Sequence, residues 1–255
     1  MHYPVIFHLG PAHVHAHLVF EMLAYTLAYQ YYQWLRRRSV DPIGDEQRVF
    51  IFIGAAFGAF WGSHLLGILE RPFEPGASGF LYFLAHKTMV GGLLGGLIGV
   101  EVTKKFLGVT HSSGDLMTFP LLLGLAIGRL GCHLHGLSDS TFGLPTTLPW
   151  GIDFGDGLPR HPVNLYEILF LGALGLTIFT LERQWTLPDG SRFKIFMISY
   201  LFWRFCLEYW KPAFFWPPIG FSSIQIACLA GLCYYRLSLW KALKFWLLES
   251  RLLPT

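Results

Sequence analysis

Residues 115–135 read DLMTFPLLLGLAIGRLGCHLH, and this stretch sets the class of fold to expect. The run FPLLLGLAIG, residues 119–128, is apolar enough to lie in hydrocarbon, yet Arg129 follows it directly. A membrane-spanning helix needs roughly 20 mostly apolar residues, because hydrocarbon offers no water to satisfy the backbone. The stretch therefore predicts a transmembrane helix that carries an arginine.

Six further stretches have the same apolar character. The complete set of expected spans is 15–35, 49–69, 83–101, 115–135, 163–181, 194–211 and 222–243. The third is the least apolar at its start, and a shorter, partly re-entrant segment is the alternative there. Of the 255 residues, 53% are hydrophobic and only 14% are charged, whereas about a quarter are charged in soluble domains. The formal net charge of +3 gives no reason to expect a nucleic-acid partner. We predict an all-α polytopic membrane protein of about seven transmembrane helices, forming one domain over residues 1–255.

The positions of the basic residues set the expected orientation. Most of them lie in loops and termini on one side of the predicted bilayer: Arg36, Arg37, Arg38, Arg48, Lys104, Lys105, Arg183, Arg192, Lys194, Arg236, Lys241, Lys244 and Arg251. The opposite side carries Arg71, Lys87, Arg160 and Lys211. Cytoplasmic loops are enriched in Lys and Arg. We therefore expect an external N-terminus and a cytoplasmic C-terminus with an amphipathic tail at 238–255.

The longest connection between spans, residues 136–160, then lies outside the membrane, between helices four and five. Its Gly and Pro residues disfavour helix through most of its length. Four large side chains in it favour packing instead: Phe142, Leu148, Trp150 and Phe154. Long loops in compact proteins are usually functional or disordered. We expect this loop to form a folded external cap.

Two arginines inside apolar spans carry the functional argument. Arg129 lies in span 115–135, and Arg204 lies in the run MISYLFWRFCLEYW. An arginine near mid-membrane costs at least about 2.5–3.5 kcal/mol, so it must face protein, water or an anion. Its planar guanidinium suits phosphate or carboxylate. We expect the two guanidinium groups, from separate spans, to grip one phosphate.

Polar residues accompany Arg204 along its predicted helix. Tyr200, Arg204, Glu208 and Lys211 are spaced i, i+4, i+8 and i+11, which places them on one helical face. Two interpretations remain open. Glu208 orients Arg204 toward a phosphate, or the two charges neutralise each other and join helices.

The motif RHPVNLYE supplies further candidates where the 136–160 loop meets the fifth span. Arg160 and His161 precede the helix start at the bilayer surface, as headgroup-binding groups or as ordinary interfacial residues. Glu167 lies a turn inside the helix, where an unpaired carboxylate would be costly, or it serves only as a partner of the helix dipole. Beside Arg129, Gly128 and Gly131 leave room for a ligand to approach the backbone.

Glycines recur at four-residue spacing in the third span: Gly91, Gly92, Gly95, Gly96 and Gly99. Small residues at this spacing let two helices approach closely. An alternative interpretation is a smooth surface against which an acyl chain or head group slides.

Histidines alternate at His13, His15 and His17, and again at His133 and His135. On a strand this spacing would aim the imidazoles one way, so that zinc is conceivable, whereas on a helix they point apart. No acidic or cysteine ligand stands at a recognisable distance, and we expect no metal site. One of these histidines is a plausible general base, because the imidazole pKa lies near neutrality.

Five motifs together resemble one family. The runs GLAIGRLGCHLHG, GLPTTLPWG, LPRHPVNLYE, SYLFWRFCLEYWK and IGFSSIQI occur in the order and spacing typical of bacterial prolipoprotein diacylglyceryl transferases. The resemblance implies a multi-pass enzyme of the bacterial inner membrane with its N-terminus in the periplasm. That family moves the diacylglyceryl group of phosphatidylglycerol onto the lipobox cysteine thiol of a prolipoprotein, forming a thioether and releasing glycerol phosphate. The resemblance implies no metal or cofactor, and we expect a monomer.

The resemblance also implies roles for individual residues. Arg129 matches the signature arginine of the family, and Arg204, with Tyr200 and Glu208, matches the motif of a second arginine. Gly143 resembles the glycine that follows the signature in the cap. The expected catalytic residues are Arg129, Arg204, Glu208, Tyr200, His133 and His17. The expected substrate-binding residues are Gly128, Gly131, Cys132, Gly143, Arg160, His161 and Glu167.

Several positions depart from the family pattern on the side that handles the thiol. Cys132 stands where the family usually has asparagine, and the acidic residue expected soon afterwards is Leu137, with Asp139 as a substitute. His17 takes the place of a usual tyrosine. A histidine usual in the glycine-rich span is also replaced, at Val90 or Leu94, and three others could supply its imidazole: His86, His133 or His135.

These departures keep other functions open. A non-catalytic protein that binds or moves phospholipid would retain the arginines and lack the base. A paralogue would act on a different acceptor. A polar-lined channel is a further alternative, although no inverted repeat is recognisable in the sequence.

Overall fold

A computed structural model describes residues 3–10, 12–70, 79–139 and 141–249, with the backbone alone at 9, 12, 81 and 237–249. The helices in this part of the chain are α1 (Ala16–Arg38), α2 (Asp45–Glu70), α3 (Phe80–Ala85), α4 (Met89–Leu107), α5 (Asp115–His135), α6 (Val163–Gln184), α7 (Ser191–Leu207) and α8 (Ser223–Glu249). Two short hairpins complete it, β1 (Ile6–Leu9) with β2 (Ala12–His15) and β3 (Ile152–Asp153) with β4 (Pro159–Arg160). The fold is predominantly helical, as predicted.

Helices lie close to all seven expected spans. The third expected span, 83–101, is divided, because α3 ends at Ala85 and α4 begins at Met89. Of the tail expected at 238–255, the backbone is helical to Glu249. The side chains of Lys241 and Lys244, together with Arg71 and Arg251 and all of 250–255, lie outside the described residues.

The described chain contains three helical segments long and apolar enough to cross a membrane: Asp45–Glu70, Asp115–Ser138 and Val163–Gln184. Large apolar side chains on them lie at the surface, including Phe57 at 66% exposure and Leu169 at 72%. An extended apolar surface is costly in water and favourable against lipid. The protein is therefore located in a membrane.

The described residues fold into two compact units. The first unit comprises Met1–Val49, Leu107–Phe196 and Leu207–Ala213, and the second comprises Phe50–Phe106, Met197–Cys206 and Phe214–Thr255, as far as these residues are described. The single domain expected over the whole chain stays a prediction.

In the first unit, α5 packs against both α1 and α6. Glycine permits the close approach of α1, because a Cβ at Gly131 would lie 2.9 Å from the Phe20 Cβ. The N-terminal segment crosses the end of α5, where the Val5 amide donates a hydrogen bond to the Leu134 carbonyl at 2.9 Å. This packing brings the start of α1 to the end of α5.

In the second unit, the glycines of α4 face glycines of α2. A Cβ at Gly95 would overlap the Gly58 carbonyl oxygen, and one at Gly91 would overlap that of Gly62. A Cβ at Gly96, by contrast, would meet Ala55 and Ala59 at ordinary distances of 3.5 and 3.6 Å. Of the two interpretations of this glycine spacing, close helix packing is the one seen here.

The 136–160 loop is ordered by its own hydrogen bonds. After a 3-10 turn at Gly136–Ser138, the chain reaches the β3–β4 hairpin. The Asp153 carboxylate accepts hydrogen bonds from the amides of Gly155 and Gly157 at 2.8 and 3.0 Å, which closes the hairpin turn. Phe154 is buried, as predicted, whereas Leu148 and Trp150 are exposed. The loop is folded, and its place outside the membrane stays a prediction.

Candidate active site

The site is centred on an ion pair between α5 and α6. The Nε of Arg129 lies 2.9 Å from the Oε2 of Glu167, with the residues 3% and 1% exposed. Neither interpretation of Glu167 from the sequence includes Arg129, so this pairing is a correction. A buried carboxylate offsets the cost of burying a guanidinium. The pair therefore holds a cationic donor in an apolar surrounding.

The two glycines beside Arg129 differ in their surroundings. No described atom lies within 4 Å of a Cβ placed at Gly128, so the backbone is open there. The expected room at Gly131 is absent, because Phe20 and the backbone of His17 fill it. Gly128 thus keeps its role as a candidate for substrate approach, whereas Gly131 serves the packing of α1.

Three residues of different chemistry meet at the end of α5. One ligand atom each of His17, Cys132 and Asp139 lies within 4.8 Å of the others. The His135 ring centroid lies 5.2 Å from that of His17 and 5.4 Å from that of His15. His15, His17 and His135, which the sequence shows only as members of alternating patterns, therefore lie close together here.

His133 lies one turn beyond Arg129 on α5, on the same helical face. Its ring packs against Tyr3 and Phe154, with centroid distances of 6.1 and 5.5 Å. Its Nδ1 atom is buried without a hydrogen-bond partner among the described residues. Burial raises the pKa of the Tyr3 phenol, so the phenol stays neutral. His133 is thus an imidazole with an unused ring nitrogen.

The expected substrate-binding residues in and beside the 136–160 loop lie close to one another. A Cβ at Gly143 would overlap the carbonyl oxygen of His161, so only glycine allows this approach. Arg160 donates to Asp156 Oδ2 from its Nε at 2.9 Å and from its Nη2 at 2.5 Å, which lowers the pKa of the Asp156 carboxyl. The His161 Nδ1 lies 3.3 Å from the Tyr166 hydroxyl. Arg160 and His161 therefore brace the loop.

The residues expected along one face of the sixth span are all buried. Tyr200 and Arg204 lie on α7, with exposures of 0% and 3%, and the Tyr200 hydroxyl donates to the Met89 sulfur at 3.5 Å. The continuous helical face is wrong beyond Arg204, because α7 ends at Leu207 and Glu208 begins a 3-10 turn. Lys211 is buried too, with its Nζ 3.9 Å from Glu208 Oε2.

Sequence reasoning left Tyr166 out of the site and named Asp139 only as a substitute for a family position. Asp139 reaches Cys132 because the 3-10 turn folds the chain back after α5. Tyr166 links the 136–160 loop to α6, since its hydroxyl accepts a hydrogen bond from Trp150 Nε1 at 2.7 Å. The tyrosine in RHPVNLYE was the available signal for Tyr166. Asp139 carried only the weaker signal of an acidic residue near a replaced family position.

A family model of prolipoprotein diacylglyceryl transferases matches residues 4–241. A phosphatidylglycerol–prolipoprotein diacylglyceryl transferase of Coxiella burnetii (strain Dugway 5J108-111) is 31% identical over 243 residues, covering 86% of this chain and 85% of the relative. The same enzyme of Glaesserella parasuis serovar 5 is 28% identical over 222 residues, covering 82% and 79%. That of Nitratidesulfovibrio vulgaris (strain DP4) is 31% identical over 229 residues, covering 77% and 79%. The chain belongs to the prolipoprotein diacylglyceryl transferase family.

Proposed function

We propose that this protein transfers the diacylglyceryl group of phosphatidylglycerol to a cysteine thiol of a prolipoprotein. The acceptor sulfur attacks the glycerol carbon that bears the phosphate ester. A carbon–sulfur bond forms, the carbon–oxygen bond to phosphate breaks, and glycerol phosphate leaves. The thiol proton passes to a base, and the product is a thioether. Membership of the transferase family supports this reaction.

The buried Arg129–Glu167 pair is the observation that carries the proposal. Charge builds on the departing phosphate in the transition state, and preorganised cationic donors are an effective way to stabilise it. Glu167 fixes one edge of the Arg129 guanidinium, and the open backbone at Gly128 gives a ligand access. We assign phosphate binding to Arg204 as well, because its motif matches that of the family's second arginine and its planar guanidinium suits phosphate.

Thiol activation falls to an imidazole on α5 or α1. A thiol is nucleophilic as the thiolate, so a base must receive its proton. The Nδ1 atoms of His133 and His17 are buried and lack hydrogen-bond partners in the described chain. His133 shares a helical face with Arg129, which would place base and phosphate donor beside the same substrate. We assign the base to His133 and a thiol-positioning role to His17, with Tyr200 and Glu208 supporting the second arginine.

The membrane arrangement is part of the proposal. Seven spans put the N-terminus in the periplasm and the C-terminus in the cytoplasm, following the distribution of Lys and Arg. The 136–160 loop is then a periplasmic cap of an inner-membrane enzyme, on the side where a translocated prolipoprotein presents its cysteine. A monomer suffices for these roles.

A reconstituted assay tests the function. Purified protein is incubated with phosphatidylglycerol and a lipobox peptide, and the thioether product is measured by mass spectrometry. We expect product with phosphatidylglycerol and none with a peptide whose cysteine is replaced by serine. Arg129→Ala and Arg204→Ala should each lower turnover by about 10²–10³-fold, as for loss of one transition-state donor.

The matched control is Arg183→Ala, which removes an exposed arginine packed over Phe179 and should leave turnover unchanged. Arg204→Lys keeps the positive charge but lacks the planar guanidinium with its paired N–H donors, so its turnover should stay below that of the unmodified protein. Binding of phosphatidylglycerol that needs both buried arginines, with no product from any thiol acceptor, would favour a lipid-binding protein. Solute flux through liposomes that survives both alanine substitutions would favour a channel.

A further inference from the structure

The cluster at the end of α5 combines three donor types, of which the proposed transfer uses only the imidazole of His17. His17, Cys132 and Asp139 supply an imidazole, a thiol and a carboxylate from the start of α1, from α5 and from the residue after the 3-10 turn. All three residues are partly buried and belong to the first compact unit. Nitrogen, sulfur and oxygen donors of these types are the ligands that zinc takes in proteins.

The spacing of the donors fits a metal ion. Their ligand atoms lie within 4.8 Å of one another. The corners of a triangle with edges of that length stand about 2.8 Å from its centre, whereas zinc–ligand bonds are about 2.0–2.3 Å. Each donor would move inward by less than about 1 Å, within reach of side-chain rotation alone.

His17 has the surroundings of a metal-binding histidine. Its Nδ1 is buried without a hydrogen-bond partner in the described chain. Its Nε2 lies 3.8 Å from the Glu21 carboxylate one turn along α1. A ligating histidine typically donates its other ring N–H to a carboxylate, which fixes the ring and raises its basicity. Glu21 lies near that position, at a distance longer than a hydrogen bond.

We propose that His17, Cys132 and Asp139 form a binding site for a divalent transition-metal ion of the zinc class. The Cys132 thiol proton leaves to solvent when the metal binds, and the thiolate becomes a ligand. The thiolate and imidazole favour Zn²⁺ over Mg²⁺ or Ca²⁺, which prefer oxygen. Three protein ligands leave the fourth position for water, or, on the basis of the proposed function, for the acceptor thiol. This proposal departs from the expectation of no metal site.

Metal binding is measured on the intact, detergent-purified protein after treatment with a chelator, and without lipid or peptide. We expect one equivalent of Zn²⁺ to bind, and Co²⁺ in its place to give a thiolate-to-cobalt charge-transfer band. Cys132→Ser should abolish that band, and Asp139→Asn should weaken Zn²⁺ binding by at least about 10-fold. Glu21→Gln, a positioning variant, should weaken it by about 10–100-fold while the cobalt band remains.

Two matched controls separate this site from chance binding. Cys233→Ser removes an exposed thiol of the second unit and should leave the cobalt band unchanged. His8→Gln breaks the exposed His8–His13 pair, whose Nδ1 atoms lie 2.7 Å apart, and should leave the stoichiometry unchanged. The absence of a charge-transfer band in the unmodified protein overturns the proposal, whatever the folding of the variants. Zn²⁺ binding lost in His8→Gln but retained in Cys132→Ser overturns it as well. Because no substrate is present, either result is independent of transferase activity.

Discussion

Arg129 and Glu167, from α5 and α6, form an ion pair with 2.9 Å between Nε and Oε2, and neither residue is more than 3% exposed. Arg129 alone would be among the most costly residues in its helix. The pair offsets that cost and fixes the direction of the guanidinium in the first compact unit. The same contact thus contributes both to stability and to the proposed chemistry. Substitutions of one or both residues distinguish its effect on stability from its effect on transfer activity.

Removing one member of this pair should destabilise the protein strongly. Glu167→Gln removes the carboxylate charge that lies 2.9 Å from a buried guanidinium, and we expect a loss of about 3–5 kcal/mol in unfolding free energy. Glu182→Gln is the matched control, because the Arg192–Glu182 pair is partly exposed and should contribute only about 0–1 kcal/mol. Thermal unfolding in detergent measures both. Equal effects of the two substitutions would contradict a buried pair.

The double substitution Arg129→Met with Glu167→Leu separates stability from function. It removes both charges and keeps apolar volume, so stability should recover to within about 1–2 kcal/mol of the original protein. Transfer activity should not recover, because the phosphate donor is gone. A stable double variant with full turnover would exclude Arg129 from the reaction.

Gly143→Ala should displace the 136–160 loop. The added Cβ would overlap the His161 carbonyl oxygen, and backbone on both sides would have to shift. We expect faster amide hydrogen exchange across residues 141–161 and a loss of about 1–3 kcal/mol. Gly172→Ala on α6 meets no described atom within 4 Å and is the control. Unchanged exchange in Gly143→Ala would refute the close contact.

Glycine packing between α2 and α4 makes another position-specific prediction. Gly95→Ala places a methyl group against the Gly58 carbonyl, forcing the helices apart, and should lower stability by about 1–3 kcal/mol. Gly96→Ala, the next residue along, meets neighbours at 3.5 Å or more and should be neutral or slightly stabilising through helix propensity. Thermal unfolding of the two variants compares their stabilities. A destabilising Gly96→Ala with a harmless Gly95→Ala would reverse the assignment of helix faces.

The Asp41 network should make stability depend on pH. Burial opposes ionisation, but hydrogen bonds from Arg48 and Arg36 and from the Ile43 amide hold the pKa of Asp41 below its ordinary 3.8. Since the folded-state pKa is the lower one, the stabilisation is complete above the unfolded-state pKa and is lost as the pH falls through the folded-state value.

Asp41→Asn should therefore lower the melting temperature at neutral pH, and the difference should shrink in acid below about 3.8. Asp45→Asn provides the control, because that side chain, also paired with Arg36, is 94% exposed and its pair should contribute less than about 1 kcal/mol. A difference between Asp41→Asn and the unmodified protein that persists undiminished in strong acid would contradict the ionised network.

The positions of the helices were predictable to within a few residues because the physical signal is local. Apolar runs about as long as a bilayer is thick, interrupted by glycine, proline and charge, already mark where α1, α2 and α5 to α8 lie. The division of the third expected span also has a local signal. Three polar residues, His86, Lys87 and Thr88, separate Phe80–Ala85 from Met89–Leu107, and the helix is interrupted there. The spacing of Tyr200, Arg204 and Glu208, by contrast, does not indicate that α7 ends at Leu207.

Residue identity and order alone establish that the chain lies in a membrane, that Arg129 must face protein, water or an anion, and that the family is one of lipid-modifying transferases. Solvation energy and motif order depend on which residues occur and how they are spaced, so no coordinates were needed for these conclusions. Helix packing, by contrast, makes Glu167 the neighbour of Arg129 and brings His17, Cys132 and Asp139 together. Such pairings join residues far apart in the chain, and they depend on how α1, α5 and α6 pack together.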